Sequence, residues 1–196
     1  MTESGFLRLK SEVFQLLRSG LSPALTYHSI DHTEDVLKHV ERIAAAEDIT
    51  DTRLLLLMRI AAIFHDTGFV RTYRGHEEES CRIMGEILDK GLFEPAEISL
   101  MEGMIRATKI PQSPHSLPEM ILCDADLDYL GRTDFYEISD TLKEEFFAYD
   151  IISSEKQWDL LQVNFFESHR YFTPSSLLDR YPLKKKHYES LKLKLN

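Results

Sequence analysis

Residues 54–66 of the chain read LLLLMRIAAIFHD, an apolar stretch that ends on His65 and Asp66. We predict that this stretch is a buried helix that places an imidazole and a carboxylate at the edge of a hydrophobic core. An unpaired charge at such a position is costly, so a positive charge must neutralise the carboxylate. Both side chains are common metal ligands, and a bound cation would meet this requirement.

Two further segments carry side chains of the same kind. His32 begins another amphipathic helix, and Asp124 and Asp126 follow an apolar stretch farther along the chain. Taken one at a time, these residues have ordinary structural explanations. His32 would be a helix-start residue and His65 a hydrogen-bonded core residue, and the aspartates would be capping or turn residues. Taken together in this order, they favour one divalent cation (Mn, Fe, Co, Ni, Zn or Mg) with open positions for water and substrate. The candidate ligands are His32, His65 and Asp66, together with Asp124 or Asp126.

The periodicity of apolar residues is helical along most of the chain, and 196 residues fit one domain. We therefore predict an all-α helical bundle, a single domain over 1–196. Its motif core would lie in 27–131, with C-terminal helices in 134–194 packed on it. Gly and Pro residues fall where helices should stop and start. The predicted helices cover residues 4–19, 31–47, 51–65, 76–90, 94–107, 117–130, 134–149, 153–170 and 175–194.

The composition limits the classes of partner. A net charge of -10, from 23 basic and 33 acidic residues, disfavours binding to a nucleic-acid polymer but permits a small anionic substrate beside a metal. No stretch is apolar and long enough to span a bilayer, and the N-terminus lacks the features of a signal peptide. We therefore expect a cytoplasmic protein with no membrane partner, in which Cys81 and Cys123 are reduced core residues. The basic C-terminal segment is a solvated helix face or a partner surface, and a homodimer is left open.

The chemistry that these ligands favour is the hydrolysis of a phosphate ester. This reaction needs a water that is nucleophilic near neutral pH and a cation against the phosphoryl oxygens, and a divalent metal supplies both. Two loops adjoin the assigned residues, at 67–75 and 110–118. Loops in such positions commonly face the substrate.

The motifs of the chain resemble those of the HD superfamily of metal-dependent phosphohydrolases, in particular a bacterial branch that opens on YHxxxH. The resemblance spans residues 27–131 and is specific for the superfamily but not for a substrate. It implies an HD-domain helical fold and a metal-dependent hydrolase. The matching segments are YHSIDH at 27–32, FHDTG at 64–68, GHEEES at 75–80, ATK at 107–109 and DADLDYLG at 124–131, with FESHRYFT at 166–173 as a further match.

The resemblance also implies roles for individual residues. Asp126 rather than Asp124 is the last ligand, and Asp124 then orients a ligand imidazole. Two-metal relatives carry two extra histidines before the last Asp, and His76 matches the first while Lys109 stands at the second. Because an ammonium group binds phosphate but not metal, we expect one metal, with His76 and Lys109 facing the substrate. A plain helix start for His76 and simple exposure of Lys109 are the alternatives.

The general base and the other substrate contacts are less constrained. Several nucleotide-directed relatives carry an acid a few residues after the His-Asp pair, but here TGFVR follows, so Asp66 or His76 is left to take the proton. A solvated loop would explain Arg71 and Arg74 equally well, and a buried hydrogen-bonded pair with Tyr171 would explain His169. The expected substrate contacts are His28, Arg71, Arg74 and His169.

We therefore predict a metal-dependent phosphohydrolase that cleaves a phosphomonoester or phosphodiester of a small phosphorylated metabolite, a nucleotide or a nucleotide-like molecule. One alternative is a di-iron oxygenase, which some HD proteins are, although Lys109 breaks the second ligand set. The other is a regulatory module that binds a ligand without turnover. The intact ligand series disfavours this module, because a sensor has no need of an open metal position.

Overall fold

The computed structural model describes residues 1–195, apart from the side chain of Lys90. Over that range the chain forms ten α-helices and three short 3₁₀ helices and contains no β-strand, which confirms the predicted all-α fold. The 3₁₀ helices are Thr67–Val70, Lys90–Leu92 and Asp128–Gly131. The α-helices are α1 (Glu3–Gly20), α2 (Ile30–Ala46), α3 (Thr52–Phe64), α4 (His76–Ile87), α5 (Pro95–Ala107), α6 (Leu117–Asp126), α7 (Phe135–Ala148), α8 (Glu155–Ser168), α9 (Pro174–Asp179) and α10 (Tyr181–Lys194).

Helix caps fix where the candidate ligands fall. α2 begins where the Ser29 hydroxyl oxygen accepts a hydrogen bond from the His32 N–H at 3.3 Å, which places His32 in the first turn. α3 begins at Asp51, whose carboxylate accepts two backbone N–H groups of the first turn. α3 ends with His65 at its C-cap position. Two ordinary helix termini thus present imidazoles to the same region.

The central helix of the bundle is α3. Met58 and the residues from Ile60 to Phe64 have no exposed surface. Buried side chains of α1, α2, α4, α5 and α6 pack with α3 in one hydrophobic cluster. Full burial of a side chain of this size contributes about 1.5–3 kcal/mol. This cluster therefore gives rigid support to the end of α3, where the His-Asp pair lies.

A second, smaller hydrophobic cluster lies among the C-terminal helices, around Tyr129, Phe135 and Phe166. A buried carboxylate ties this part of the chain to α2. Asp128 is fully buried and accepts hydrogen bonds from Arg42 of α2 at 2.6 Å and from Arg180 at 2.9 Å. Because removing either partner would leave a buried charge poorly compensated, these ion pairs fix the C-terminal helices against α2.

Two predicted helices end differently in the structure. The predicted helix over 175–194 is divided into α9 and α10, because Pro182 lacks an N–H group and its ring clashes with a preceding helical turn. The predicted helix over 117–130 ends at Asp126, and a 3₁₀ helix follows after Leu127. The other predicted helices agree with the structure to within three residues at each end.

None of the helices found in residues 1–195 combines the length and the apolar character that crossing a membrane would require. Cys81 and Cys123 are both buried and free. The Cys123 Sγ lies 3.1 Å from the backbone oxygen of Ala107, so this thiol is part of the packing between α5 and α6.

Candidate metal centre

The four assigned ligands lie together where α2, α3 and α6 meet. The Nε2 atoms of His32 and His65 are 3.3 Å apart. Asp66 Oδ2 lies 3.4 Å from the first of these nitrogens and 3.2 Å from the second. Asp126 Oδ1 lies 3.2 Å and 3.6 Å from the same two atoms. The structure thus brings together side chains that are separated by up to 94 residues in the sequence.

These separations are of the size that a shared cation requires. Metal–ligand bonds of about 2.0–2.2 Å place neighbouring donors about 3.0 Å apart in octahedral geometry and about 3.5 Å apart in tetrahedral geometry. The distances among the imidazole and carboxylate atoms run from 3.2 to 3.6 Å. His32, His65 and Asp66 each offer an atom within 4.8 Å of the other two.

The backbone holds the His65 ring in the orientation that a ligand needs. Its Nδ1 lies 2.7 Å from the carbonyl oxygen of Ala62, so the Nδ1–H donates to that carbonyl and the Nε2 lone pair points toward the carboxylates. The backbone oxygen of His65 accepts a hydrogen bond from the Ser80 hydroxyl at 2.7 Å. The His32 ring packs against Tyr27, with 4.6 Å between the ring centroids. Both imidazoles are therefore fixed by neighbours outside the centre.

Asp66 carries the clearest sign that a cation belongs in this centre. Its Oδ2 is buried and has no hydrogen-bond partner among the described residues. Burial raises the pKa of the Asp66 carboxyl, but the His65 charge and the adjacent His32 imidazole outweigh burial and hold the pKa well below its usual range. The carboxylate is therefore ionised and needs a positive charge beside it. A divalent cation bound by Oδ2 meets that need, so the residues fit such an ion.

Without a metal, protons on the imidazoles would supply the positive charge. Burial lowers the pKa of His32, but hydrogen bonds with Asp126 and Asp66 outweigh it and raise the pKa to about 9. For Asp126, burial raises the pKa, and hydrogen bonds from His32 and His65 bring it down to about 2. A metal ion must displace these protons, so we expect its binding to release protons.

His76 lies beside the centre on the first turn of α4. Its Nε2 is 3.5 Å from Asp66 Oδ1 and 3.7 Å from the Oε1 of Glu77, while its Nδ1 is 3.3 Å from the carbonyl oxygen of Tyr73. The Asp66 carboxylate thus faces the ligands with one oxygen and His76 with the other. Glu77, the second residue of α4, is also buried.

Gly68 explains how α4 comes so close. A Cβ atom at this position would lie 2.0 Å from the backbone oxygen of His76, a distance that no side chain tolerates. The Gly68 N–H also donates to the Ser80 hydroxyl at 2.8 Å. The glycine after the His-Asp pair therefore allows the 3₁₀ turn to pack directly on the start of α4.

Asp124 has different partners from those expected. Its carboxylate accepts hydrogen bonds from the N–H groups of Phe172 and Thr173 and from the Thr173 hydroxyl, at 2.7–2.9 Å. This residue therefore fixes the segment before α9. A backbone carbonyl, that of Ala62, orients the His65 imidazole instead.

The other expected substrate contacts divide into two groups. His28 lines the cavity described below, and His169 stacks on Phe165, a lining residue, with 5.7 Å between ring centroids. The remaining three face outward. Arg71 is bound to Glu79 at 2.9 Å and to Glu86 at 2.7 Å, and the side chains of Arg74 and Lys109 are exposed. Because Arg71 is already paired with two carboxylates, its release toward a phosphate would cost those contacts.

Glu145 of α7 is the main residue that the sequence did not single out. It is fully buried, and it accepts hydrogen bonds from the N–H groups of Tyr27 and His28 at 3.0 and 3.1 Å. Its Oε1 lies 2.5 Å from His28 Nδ1 and 3.0 Å from the Tyr73 hydroxyl, which donates to it. One carboxylate therefore joins the start of the motif core, the loop before α4 and the C-terminal helices.

A cavity of about 480 Å³ opens from the metal centre toward α7 and α8. Asp66, His76 and Asp126 line its inner end. The opposite wall is apolar and aromatic, formed by Leu142, Phe146, Trp158, Leu161, Phe165 and Phe166. Its volume is typical of sites for small-molecule ligands.

The helical fold of this chain has a counterpart among solved structures. One solved structure matches nearly the whole chain, the crystal structure of a predicted HD superfamily hydrolase from an uncultured Thermotogales bacterium. The two chains are 21% identical, the TM-score is 0.58, and the match covers 95% of this chain and 92% of the other. The chain therefore has the HD-domain fold. No family model and no curated protein matches the sequence.

Proposed function

We propose that this protein is a metal-dependent hydrolase of phosphate esters. The observation that carries the proposal is the cluster of His32, His65 and Asp66, with Asp126 Oδ1 3.2 Å from the His32 Nε2. The two carboxylates of this group also line the cavity. A divalent cation held by these residues would supply a water of lowered pKa and a positive charge for the phosphoryl oxygens. The likeness to a predicted HD superfamily hydrolase supports the same class of reaction.

In this reaction a water oxygen forms a bond to phosphorus, and the bond between phosphorus and the ester oxygen breaks. The proton that the water loses must be held near the attacked phosphorus and passed to the leaving alkoxide. His76 is placed for this task, because its Nε2 lies 3.5 Å from Asp66 Oδ1 at the edge of the centre. The Oε1 of Glu77 lies 3.7 Å from the same nitrogen.

The walls around His76 keep it in place. The Phe69 ring stacks on both the His76 and the His28 imidazoles, with centroid distances of 3.9 Å and 4.1 Å. Glu145 in turn holds His28 through its Nδ1. His28 thus belongs to the support of the proton-transfer residue as well as to the cavity wall.

The alternative of a di-iron oxygenase has less support. It requires a second histidine at the position of Lys109, and the Lys109 side chain is exposed. Thr108 and Ile110, the neighbours of Lys109 in the sequence, line the cavity, but Lys109 does not.

The test is hydrolysis of 4-nitrophenyl phosphate and bis(4-nitrophenyl) phosphate with Mn, Co, Ni or Mg. We expect metal-dependent turnover by the wild type and a loss of at least about a hundredfold in Asp66→Ala, which removes a ligand and the His76 partner. Asp140→Ala is the matched control, because Asp140 is exposed and pairs with Lys143 on the surface of α7. Equal rates for the wild type and Asp66→Ala would contradict the proposal.

A further inference from the structure

The far end of the cavity has the chemical character of a hydrocarbon site. Leu142 and Phe146 of α7 face Trp158, Leu161 and Phe165 of α8 across it. The polar side chains of α8 that line the cavity are Gln162, Asn164 and Ser168. The Gln162 amide donates to the Ser139 hydroxyl, and the Ser168 hydroxyl donates to the Phe165 carbonyl. A nucleobase placed against the apolar side chains would lose hydrogen bonds to water, whereas an alkyl or aryl group would gain burial there.

The charges around the cavity point the same way. The acidic residues and histidines that line it are His28, Asp66, His76, Glu77 and Asp126. Neither lysine nor arginine lines it in the part of the chain that the structure describes. A nucleoside triphosphate carries three or four negative charges, and these would meet three carboxylates with one divalent cation to offset them. A single phosphoryl group matches the charge that one cation can bind.

We propose that the substrate is an organic phosphate with one phosphoryl group and an apolar alkyl or aryl body, which fills the cavity between α7 and α8. This inference rests on the proposed function, because the metal centre is what places the phosphoryl group at the inner end. It assigns the selection of the substrate body to Leu142, Phe146, Trp158 and Leu161. A nucleoside polyphosphate is the excluded class.

The sequence provides a built-in reporter for this site. Trp158 is its single tryptophan and lies in the cavity wall. Titration with alkylphosphonates from butyl to octyl should change the tryptophan fluorescence, and the C–P bond of these probes is not hydrolysed. We expect affinity to rise about threefold per methylene, close to a hundredfold over the series, because each methylene is buried against apolar side chains. ATP should bind more weakly than octylphosphonate.

Leu161→Asn and Leu160→Asn form a matched pair of variants on α8. Leu161 lines the cavity, whereas Leu160 is 51% exposed. Leu161→Asn should weaken octylphosphonate binding about tenfold, and Leu160→Asn should leave it unchanged. Leu142→Asn on the facing helix should repeat the effect of Leu161→Asn, with thermal melts to confirm that each variant is folded.

This test separates the substrate class from the reaction. The contacts of the alkyl group do not involve the metal ligands. The dependence of affinity on alkyl chain length should therefore persist in protein treated with a chelator. If aryl phosphates are hydrolysed but affinity does not depend on chain length, or ATP binds more tightly than octylphosphonate, the apolar substrate is wrong and the hydrolase stands. If chain length governs binding and no phosphate ester is cleaved, the apolar site stands and the hydrolase is wrong.

Discussion

Glu145 is a buried carboxylate whose partners come from three parts of the chain. Burial raises the pKa of its carboxyl, but the hydrogen bond and charge of His28 outweigh burial and lower the pKa below its usual 4.5. The folded protein therefore holds this group ionised at a pH where the unfolded chain begins to protonate it. Its contribution to the free energy of unfolding is complete above pH 4.5 and is lost as the pH falls through the folded pKa.

Glu145→Gln should therefore destabilise the protein by about 2–4 kcal/mol near neutral pH, because an amide cannot accept all the donors that face the carboxylate. The difference from the wild type should shrink below pH 4.5. Chemical denaturation at several pH values measures both effects. Glu144→Gln, an exposed neighbour on α7, should change little. An equal loss in the two variants would show that burial of Glu145 has no energetic role.

His169 also has a lowered pKa in the folded protein, which disfavours the protonated imidazole. Burial and the charge of Lys184 lower the pKa of this imidazole from 6.5 to about 3, and neither ring nitrogen has a hydrogen-bond partner among the described residues. The unfolded chain binds a proton at His169 below pH 6.5, but the folded protein does not until about pH 3. The free energy of unfolding must therefore fall as the pH drops through this window, by up to about 1.4 kcal/mol per pH unit.

His169→Phe should remove this contribution, so that its stability declines less steeply between pH 6.5 and 3 than that of the wild type. The packing on Phe165 is kept by the new ring. His115→Phe is the control, because His115 is exposed. Parallel stability curves for the wild type and His169→Phe would show that His169 is protonated in the folded state.

At the scale of helices, the contact between the 3₁₀ turn and α4 positions His76. Gly68→Ala would place a Cβ 2.0 Å from the His76 backbone oxygen, so α4 must move. We expect a destabilisation of about 2–4 kcal/mol and a loss of activity. Metal binding should weaken less than activity, because none of the four assigned ligands lies on α4, which contacts them through the hydrogen bond from Ser80 to the His65 carbonyl and through His76 beside Asp66.

Gly85→Ala tests the same change in α4 where the added Cβ meets open space. Here alanine should stabilise the helix by about 0.5–1 kcal/mol without loss of activity. If Gly68→Ala has the same effect as Gly85→Ala, the close approach of the turn does not position His76.

Helix positions were largely predictable because caps, prolines and apolar periodicity are local signals. Pro182 shows the limit, since the periodicity of 175–194 continues across it while its missing N–H ends the helix. The partners of helices were harder to predict. Glu144 and Glu145 are equivalent in the sequence, and only the second lies against the segment before α2, where it accepts the Tyr27 N–H.

At the scale of the whole molecule, the sequence predicted the inner end of the site better than its outer wall. His32, His65, Asp66 and Asp126 fall within recognisable motifs, each at or beside a helix terminus. Trp158 and Leu161 lie on an amphipathic helix like any other. Only the folded chain shows that they face the metal centre across a cavity.

The central claim is that these four ligands bind one divalent cation. Metal content of the dialysed protein, measured by mass spectrometry with Mn, Co, Ni or Zn, tests it most directly. We predict one tightly bound ion per chain in the wild type. His65→Ala and Asp126→Ala should each lower the affinity more than about a hundredfold, since even outer partners of a ligand are worth ten- to a hundredfold. A wild type that binds no ion, or variants that match the control His115→Ala in metal content, would contradict the account.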